Sequence, residues 1–471
     1  MPASSDAYDA IIIGAGQGGG PLAGALARAG WSTALVERRN VGGTCVNRGC
    51  TPTKTMIASA RVAHVVGRSG DYGVLANDVS VDLETVRERK RDIVTSFRTG
   101  SRNAVESTDG LDLLMGTASF DDPKTVTVTM NDGSATRRLT SDTIIINTGT
   151  HPFIPPVEGL DDAPYLTSES IMELADVPDH LIVLGGGYIG LEFGQMFRRF
   201  GADVTIIERA DRIIAREDAD VTNALTEILE DEGLRVLEGT TAEGVDTHDD
   251  GTISLALNGE RAPTRLRGSH LLVASGRRPS TDRLNLSVAG VATDQRGYVD
   301  VSPDLRTSAD GIYALGDVKG GPAFTHISYD DYRVLRDNLL DDAGRTTDGR
   351  LVPYTLFTDP QLGRVGLSEA EAVDQNLDVK IASMPMSRVA RALEIDEAHG
   401  LMKAVVDADT DQILGATVLG PEGGEVMSVL QMAMMGDVPY TRIRESAFAH
   451  PTFAESLNNL FGSLRDPDVN A

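Results

Sequence analysis

The chain contains two cysteines, and they stand together: Cys45 and Cys50, separated by four residues in Gly42-Gly43-Thr44-Cys45-Val46-Asn47-Arg48-Gly49-Cys50. Two thiols at that spacing can cycle between dithiol and disulfide and so carry two electrons. So few cysteines argue against a secreted disulfide scaffold. The blander readings are an incidental pair or half of a metal site. Zinc would need about two further ligands, and the nearest histidine, His64, stands alone, so no metal is expected.

A second chemistry is written in glycine. Ile11-Ile12-Ile13 runs into Gly14-Ala15-Gly16-Gln17-Gly18-Gly19, a small-residue helix follows to Gly30, and the apolar run to Val36 ends at Glu37. Gly14, Gly16 and Gly19 let backbone approach a pyrophosphate at a helix N-terminus, and the acid accepts ribose hydroxyls. The pattern returns once: Leu181 to Leu184 precedes Gly185, Gly187 and Gly190, and Val204 to Ile207 ends at Glu208. Two such turns in one chain suit one dinucleotide held permanently and one that visits.

The elements that must carry these residues follow from periodicity. An amphipathic helix is predicted from about Leu83 to Glu106, a strand-rich stretch from Leu113 to Arg138, and strands at Thr143 to Asn147 and Gly311 to Asp317. A helix from Thr53 to Val66 should begin just after Cys50, with Pro52 in its first turn. Such a helix start would lower the pKa of a thiol placed there. From about Arg350, strands (Leu401 to Asp407, Ile413 to Leu419) alternate with helices (Gly424 to Met435, Phe453 to Phe461), a separate α+β unit.

Composition narrows the partners. With 471 residues, two to four packed units are expected. A formal charge of −27 repels phosphate backbones and anionic lipid, so nucleic acid and membrane are not expected partners. No apolar run near the start reaches the roughly 20 residues of a membrane helix, and cytoplasm is the expected compartment. The acids are mostly Asp and the bases mostly Arg, which suits either a salt-adapted surface or an ordinary acidic one from a GC-rich genome.

The cysteine segment, with Pro52 and Lys54, resembles the redox motif of the pyridine nucleotide-disulfide oxidoreductases, the family of glutathione reductase, lipoamide dehydrogenase and mercuric reductase. The resemblance spans essentially the whole chain and includes Thr148-Gly149, Gly316-Asp317, Phe357-Thr358-Asp359-Pro360 and His450-Pro451-Thr452 with Glu455. It implies an α/β protein of two Rossmann-like dinucleotide-binding domains plus a C-terminal α+β dimerisation domain. The expected segments are 1–152 and 276–347 for FAD, 153–275 for the nicotinamide, and 348–471 for dimerisation.

By that resemblance, electrons pass from a nicotinamide through FAD to Cys45 and Cys50. Cys50 is the charge-transfer thiolate against the flavin, and Cys45 the interchange thiol that attacks substrate. Lys54 lies near the flavin, with Glu192 its ion-pair partner. Tyr188 is the aromatic gate that a nicotinamide displaces, and Asp317 holds the ribityl chain. Gly43, Thr44, Thr148, Gly149 and Gly276 join the cofactor-binding residues. His450 is the acid–base group and Glu455 its orienting carboxylate, reaching in from the other subunit of an obligate homodimer.

Glu208 stands where family members using NADP usually place arginine, so NADH is expected, with NADPH left open by Arg209 and Arg212. The substrate is expected to be a small disulfide. Phe324 to Asp331 and Ser387 to Arg391 look most like mercuric reductase, yet no cysteine follows Cys50 to relay a soft metal and His450 is kept. Glutathione reductases carry an arginine in the first helix for a substrate carboxylate, and the corresponding region here is Gly20-Pro21-Leu22-Ala23-Gly24-Ala25, so glutathione disulfide is disfavoured. Bis-γ-glutamylcystine and lipoamide remain candidates. The alternatives are a mercuric or other metal-ion reductase and a non-catalytic FAD-binding protein.

Overall fold

Apolar runs without polar alternation, Ala10–Ile13 and Ile144–Ile146, are wholly buried, as strands covered on both faces must be. The computed structural model describes residues 6–77 and 79–468, so the outer ends of the first and last expected segments, 1–5 and 469–471, lie outside the described residues. The chain divides into two compact units. One comprises Met1–Met56, Thr85–Phe153 and Gly276–Arg350, the other Ile57–Glu84, Ile154–Ser275 and Leu351–Ala471.

The first unit is built on an eight-stranded sheet. Its parallel part runs in the order Leu111–Asp122, Thr33–Glu37, Ala10–Ile13, Ile144–Ile146, Ile312–Ala314. Ile12 pairs with Leu35 on one side and Ile145 on the other, which places the first glycine turn, Asn147 and Thr148 together at the carboxyl ends of adjacent strands. Open α/β sheets bind their ligands at that edge. The helix Gly19–Arg28 then buries Leu22, Ala23 and Leu26 in one core cluster with the sheet residues Ile12, Leu35 and Ile145.

In the second unit, four parallel strands run Arg235–Leu237, Asp203–Ile207, His180–Leu184, His270–Val273, with the helix Tyr188–Phe200 following the second glycine turn. A six-stranded sheet spans Tyr354 to Arg465 in the order Tyr354–Leu356, Gln361–Gly366, Ile413–Gly420, Leu401–Asp407, Val379–Pro385, Leu464–Arg465. Met384, Met402, Val418, Leu430 and Phe461 fill its core. The α/β class with a C-terminal α+β portion is the expected one.

Three boundaries differ from the sequence reading. The helix predicted from Thr53 begins at Cys50 and runs to Gly67. Thr53 N–H already bonds to Gly49 O at 3.0 Å, and Pro52 is tolerated because first-turn amides have no intrahelical acceptor. The predicted C-terminal helix from Phe453 is regular only over Ser456–Leu460. The strand towards Asp317 stops at Ala314, and Gly316–Lys319 forms a single 3-10 turn instead. Among the described residues no helix is long and apolar enough to cross a membrane, and no group of acidic, histidine and cysteine residues could hold a metal.

Candidate active site

In the first glycine turn, close packing fixes the residue type. A side chain on Gly19 would place Cβ 2.2 Å from Gly14 O, and Gly14 itself sits at φ +110°. The turn is tied down by two side chains. Glu37 Oε2 accepts from Ala15 N–H at 2.9 Å, and Asn147 Oδ1 accepts from Gly19 N–H at 2.9 Å while its amide donates to Leu315 O at 3.0 Å.

Around the turn the packing leaves room and polar contacts for a ligand. Gly43 packs against the backbone of Gly16, and Gly149 has open space where a side chain would stand. The Thr148 hydroxyl is buried with no partner in the protein. A buried orphan hydroxyl beside an anion-binding turn fits a polar ligand. Thr44 lies on the short helix Gly43–Arg48, and Gly276 pairs through its carbonyl with Phe153 N–H. Asp317 accepts from the Thr150 hydroxyl at 3.2 Å; burial raises its pKa, opposed by Arg277. Gly316 N–H donates at 2.9 Å to the wholly buried Asp331, whose charge Arg350 and Lys319 balance.

Cys45 sits on the Gly43–Arg48 helix and Cys50 is the first residue of the next one, with Gly49 between them. Both are free thiols. Cys50 Sγ lies 3.2 Å from the Thr325 hydroxyl. The pair is electrostatically unequal. A hydrogen bond from Cys45 lowers the Cys50 pKa to about 6 against the effect of burial, with Thr325 and Lys54 assisting. The Cys45 thiol is pushed far up, first by that shared hydrogen bond and then by burial. The arrangement favours negative charge on Cys50 over Cys45.

The second unit repeats the turn. Gly185 sits at φ +119°, and a Cβ on Gly190 would lie 1.9 Å from Gly185 O. Glu208 accepts from Gly186 N–H through Oε2 and from Ala210 N–H through Oε1, each at 2.7 Å. Gly187 opens onto free space. Tyr188 begins the helix that carries the buried Glu192, which accepts from Phe357 N–H at 3.0 Å. His450 Nδ1 lies 2.8 Å from Glu455 Oε2 and 3.0 Å from Oε1, so Nδ1 donates and Nε2 is left to exchange a proton. The ring is largely exposed, and Thr452 shapes the turn by accepting from Glu455 N–H.

Sequence reasoning missed Asn147, Thr325 and Asp331 as site residues. Asn147 is 128 residues from the amide it holds, and Thr325 is 275 from Cys50. No local pattern marks either.

Comparison with known proteins supplies the context. Residues 8–331 match the model of the pyridine nucleotide-disulphide oxidoreductases, and residues 352–461 that of their dimerisation domain. The chain is 36% identical to a probable pyridine nucleotide-disulfide oxidoreductase, RclA, of Escherichia coli K12, over 97% of this chain and 99% of the relative. It is 35% identical to a mercuric reductase of Staphylococcus aureus (98% and 83%) and 33% identical to a dihydrolipoyl dehydrogenase of Haloferax volcanii (95% and 94%). A solved Cu(II) complex of the HOCl-induced flavoprotein disulfide reductase RclA from Escherichia coli superposes with a TM-score of 0.88 at 36% identity, covering 97% of this chain and 99% of that one.

Proposed function

The chain belongs to the pyridine nucleotide-disulphide oxidoreductases, FAD enzymes with a nicotinamide donor, and from that premise we propose that it reduces a small disulfide with NADH through Cys45 and Cys50. The observation that carries the reading is the placement of two free thiols at successive helix starts, with Cys50 Sγ 3.2 Å from the Thr325 hydroxyl.

Gly14, Gly16, Gly19, Glu37, Gly43, Thr44, Thr148, Gly149, Asp317 and Gly276 would hold FAD; Gly185, Gly187, Gly190 and Glu208 would hold the nicotinamide dinucleotide. Lys54, Glu192 and Tyr188 take the roles their resemblance gives them. Bound FAD supplies the two-electron link between nicotinamide and the Cys45–Cys50 disulfide. The return of 276–347 to the FAD domain draws support from the first unit's break between Phe153 and Gly276, while 57–84 clusters with the second unit, which holds the expected nicotinamide and dimerisation segments together.

The chain's own residues account for the thiol chemistry. Because the Cys45 thiol is hard to ionise, its attack needs a base, and the His450 imidazole, oriented by Glu455, takes the proton. Cys45 then breaks the substrate S–S bond, forming a mixed disulfide, and the imidazolium returns the proton to the departing thiolate. Cys50 attacks the Cys45 sulfur, expels the second thiolate and closes the Cys45–Cys50 disulfide. The homodimer that the dimerisation domain supports would place His450 in the partner's site, and a reducing cytoplasm suits the cycle.

A panel of oxidised thiols including bis-γ-glutamylcystine, lipoamide and glutathione disulfide, assayed with NADH, tests the proposal. Cys45→Ser should abolish turnover while FAD stays bound and reducible, and retained disulfide turnover in that variant would overturn it. A second reading, metal-ion reduction at the same pair, draws support from the mercuric reductase relatives and from the Cu(II) complex of the solved relative. NADH oxidation driven by Hg(II) or Cu(II) in excess thiol, unmatched by any disulfide, would favour it.

A further inference from the structure

Between Glu208 and the helix Ala219–Asp231 the chain crosses the second glycine turn as a strap, residues 209–217. Within it Ile214 has φ +37°, a left-handed backbone that a β-branched residue rarely adopts. Such a conformation persists only where the surroundings over-determine it. Here Ile213 and Ile214 are both buried, Ile214 N–H donates to Gly186 O at 3.1 Å, and Ile214 O accepts from Glu217 N–H at 2.9 Å. Ile213 N–H donates to Glu238 Oε1 at 2.8 Å. A Cβ on Gly186 would stand 2.8 Å from the Ile213 side chain, so the strap rests directly on the turn.

What the strap holds is one peptide plane. Gly186 N–H is engaged by Glu208 and Gly186 O by Ile214, so both polar groups of Gly186 are fixed. The bond from Gly186 to Gly187 is trans, and in a trans peptide the carbonyl and the following N–H point in opposite directions. Holding the carbonyl on the strap therefore turns the Gly187 N–H away from it, at the N-cap of the helix Tyr188–Phe200, where a Cβ on Gly187 would meet nothing within 4 Å. An amide held outwards at a helix start suits a pyrophosphate. Rotated, the same plane would offer a carbonyl oxygen and repel it. Glu238 anchors the strap from outside: it follows the strand Arg235–Leu237, and its neighbour Gly239 donates to Ala210 O at 2.8 Å.

We infer that Glu238 is a positioning residue for binding of the nicotinamide dinucleotide: by holding Ile213 it keeps Ile214 left-handed, and so keeps the Gly186–Gly187 peptide with its N–H towards the pyrophosphate. The inference rests on the functional reading above, in which Gly185, Gly187 and Gly190 receive that dinucleotide. Apparent affinity then scales with the fraction of time the plane is correctly set.

Calorimetric titration of the FAD holoenzyme with NAD+, paired with stopped-flow reduction by NADH, tests this in Glu238→Ala and Glu238→Gln. In Glu238→Ala the dissociation constant of NAD+ and the half-saturating NADH concentration should rise about threefold to tenfold, the range expected for one lost hydrogen bond, with the limiting rate of flavin reduction nearly unchanged. Glu238→Gln keeps an oxygen for the Ile213 amide and should recover the wild-type values. Adenosine, which lacks the pyrophosphate, separates positioning from direct contact: its inhibition constant should not change in Glu238→Ala. Unaltered NAD+ and NADH binding in Glu238→Ala, no recovery in Glu238→Gln, or an equal loss for adenosine overturns the inference. A wild-type holoenzyme that binds neither NADH nor NADPH sinks the functional reading itself. A wild type that binds normally beside an unaltered Glu238→Ala sinks the strap alone.

Discussion

The Cys50 sulfur lies 3.2 Å from the Thr325 hydroxyl, and each residue is the first of its helix, Cys50–Gly67 and Thr325–Asp341. Two helix N-termini thus meet at one sulfur, and both favour negative charge there. Thr325→Val removes the hydroxyl at nearly constant volume. It should raise the Cys50 pKa from about 6 by about one unit, since a hydrogen bond to a charged group contributes about 1.5 kcal/mol or more. The long-wavelength thiolate–flavin absorbance of the two-electron-reduced enzyme, followed against pH, reports it: the band is present above the pKa and lost below. An unshifted midpoint would show that Thr325 does not stabilise the thiolate.

His450→Gln should separate the two half-reactions. Without a base for Cys45, oxidation of the reduced enzyme by disulfide should slow by about 10²-fold or more, while reduction of the flavin by NADH is hardly changed. Rapid-mixing experiments resolve the phases. Glu455→Gln should give a smaller loss in the same phase, because it only loosens the tautomer and orientation of the ring. Equal slowing of both phases would remove His450 from the acid–base role.

Glu208 should make NADH the better coenzyme. Its carboxylate stands at the end of the Asp203–Ile207 strand, fastened to Gly186 and Ala210, and cannot swing aside for a 2′-phosphate. We expect kcat/KM for NADH to exceed that for NADPH by about tenfold or more. A higher value for NADPH would refute the assignment.

Lys403 is 2% exposed and meets Asp218 at 2.9 Å and Glu369 at 2.6 Å. Lys403→Met would leave those buried carboxylates under-compensated and should cost about 3 kcal/mol, Arg465 still pairing with Glu369. Burial raises both acids, but backbone amides and Lys403 hold Asp218, and Arg465 and Lys403 hold Glu369, below the ordinary carboxylate range. Stability from a depressed carboxyl is full above its unfolded pKa and lost as pH falls through the folded one. The gap in urea midpoint between wild type and variant should therefore be wide at neutral pH and narrow in acid. A gap independent of pH would mean that charge is not the cause.

What the sequence made legible was local. Both glycine turns, the Cys45 and Cys50 spacing and the His450 and Glu455 offset lie within short windows, and the structure places Glu37 and Glu208 against their own turns. The partners that tune them come from elsewhere in the chain. Asn147 reaches Gly19 and Thr325 reaches Cys50 across 128 and 275 residues. The helix start at Cys50 was misplaced because Pro52 marks a first turn without saying which of its positions it occupies. Substrate identity is illegible for a related reason: specificity sits in converging side chains rather than in a motif.

The doubled fastening of Glu37 to Ala15 and Glu208 to Gly186 has a consequence for ligand capture. A phosphate-binding loop already latched by its own carboxylate does not have to freeze when the nucleotide arrives. The conformational entropy is lost once, during folding, and encounter meets a finished mould. The permanent tenant and the transient visitor would then differ in how many contacts they make, not in how far the receiving backbone must rearrange.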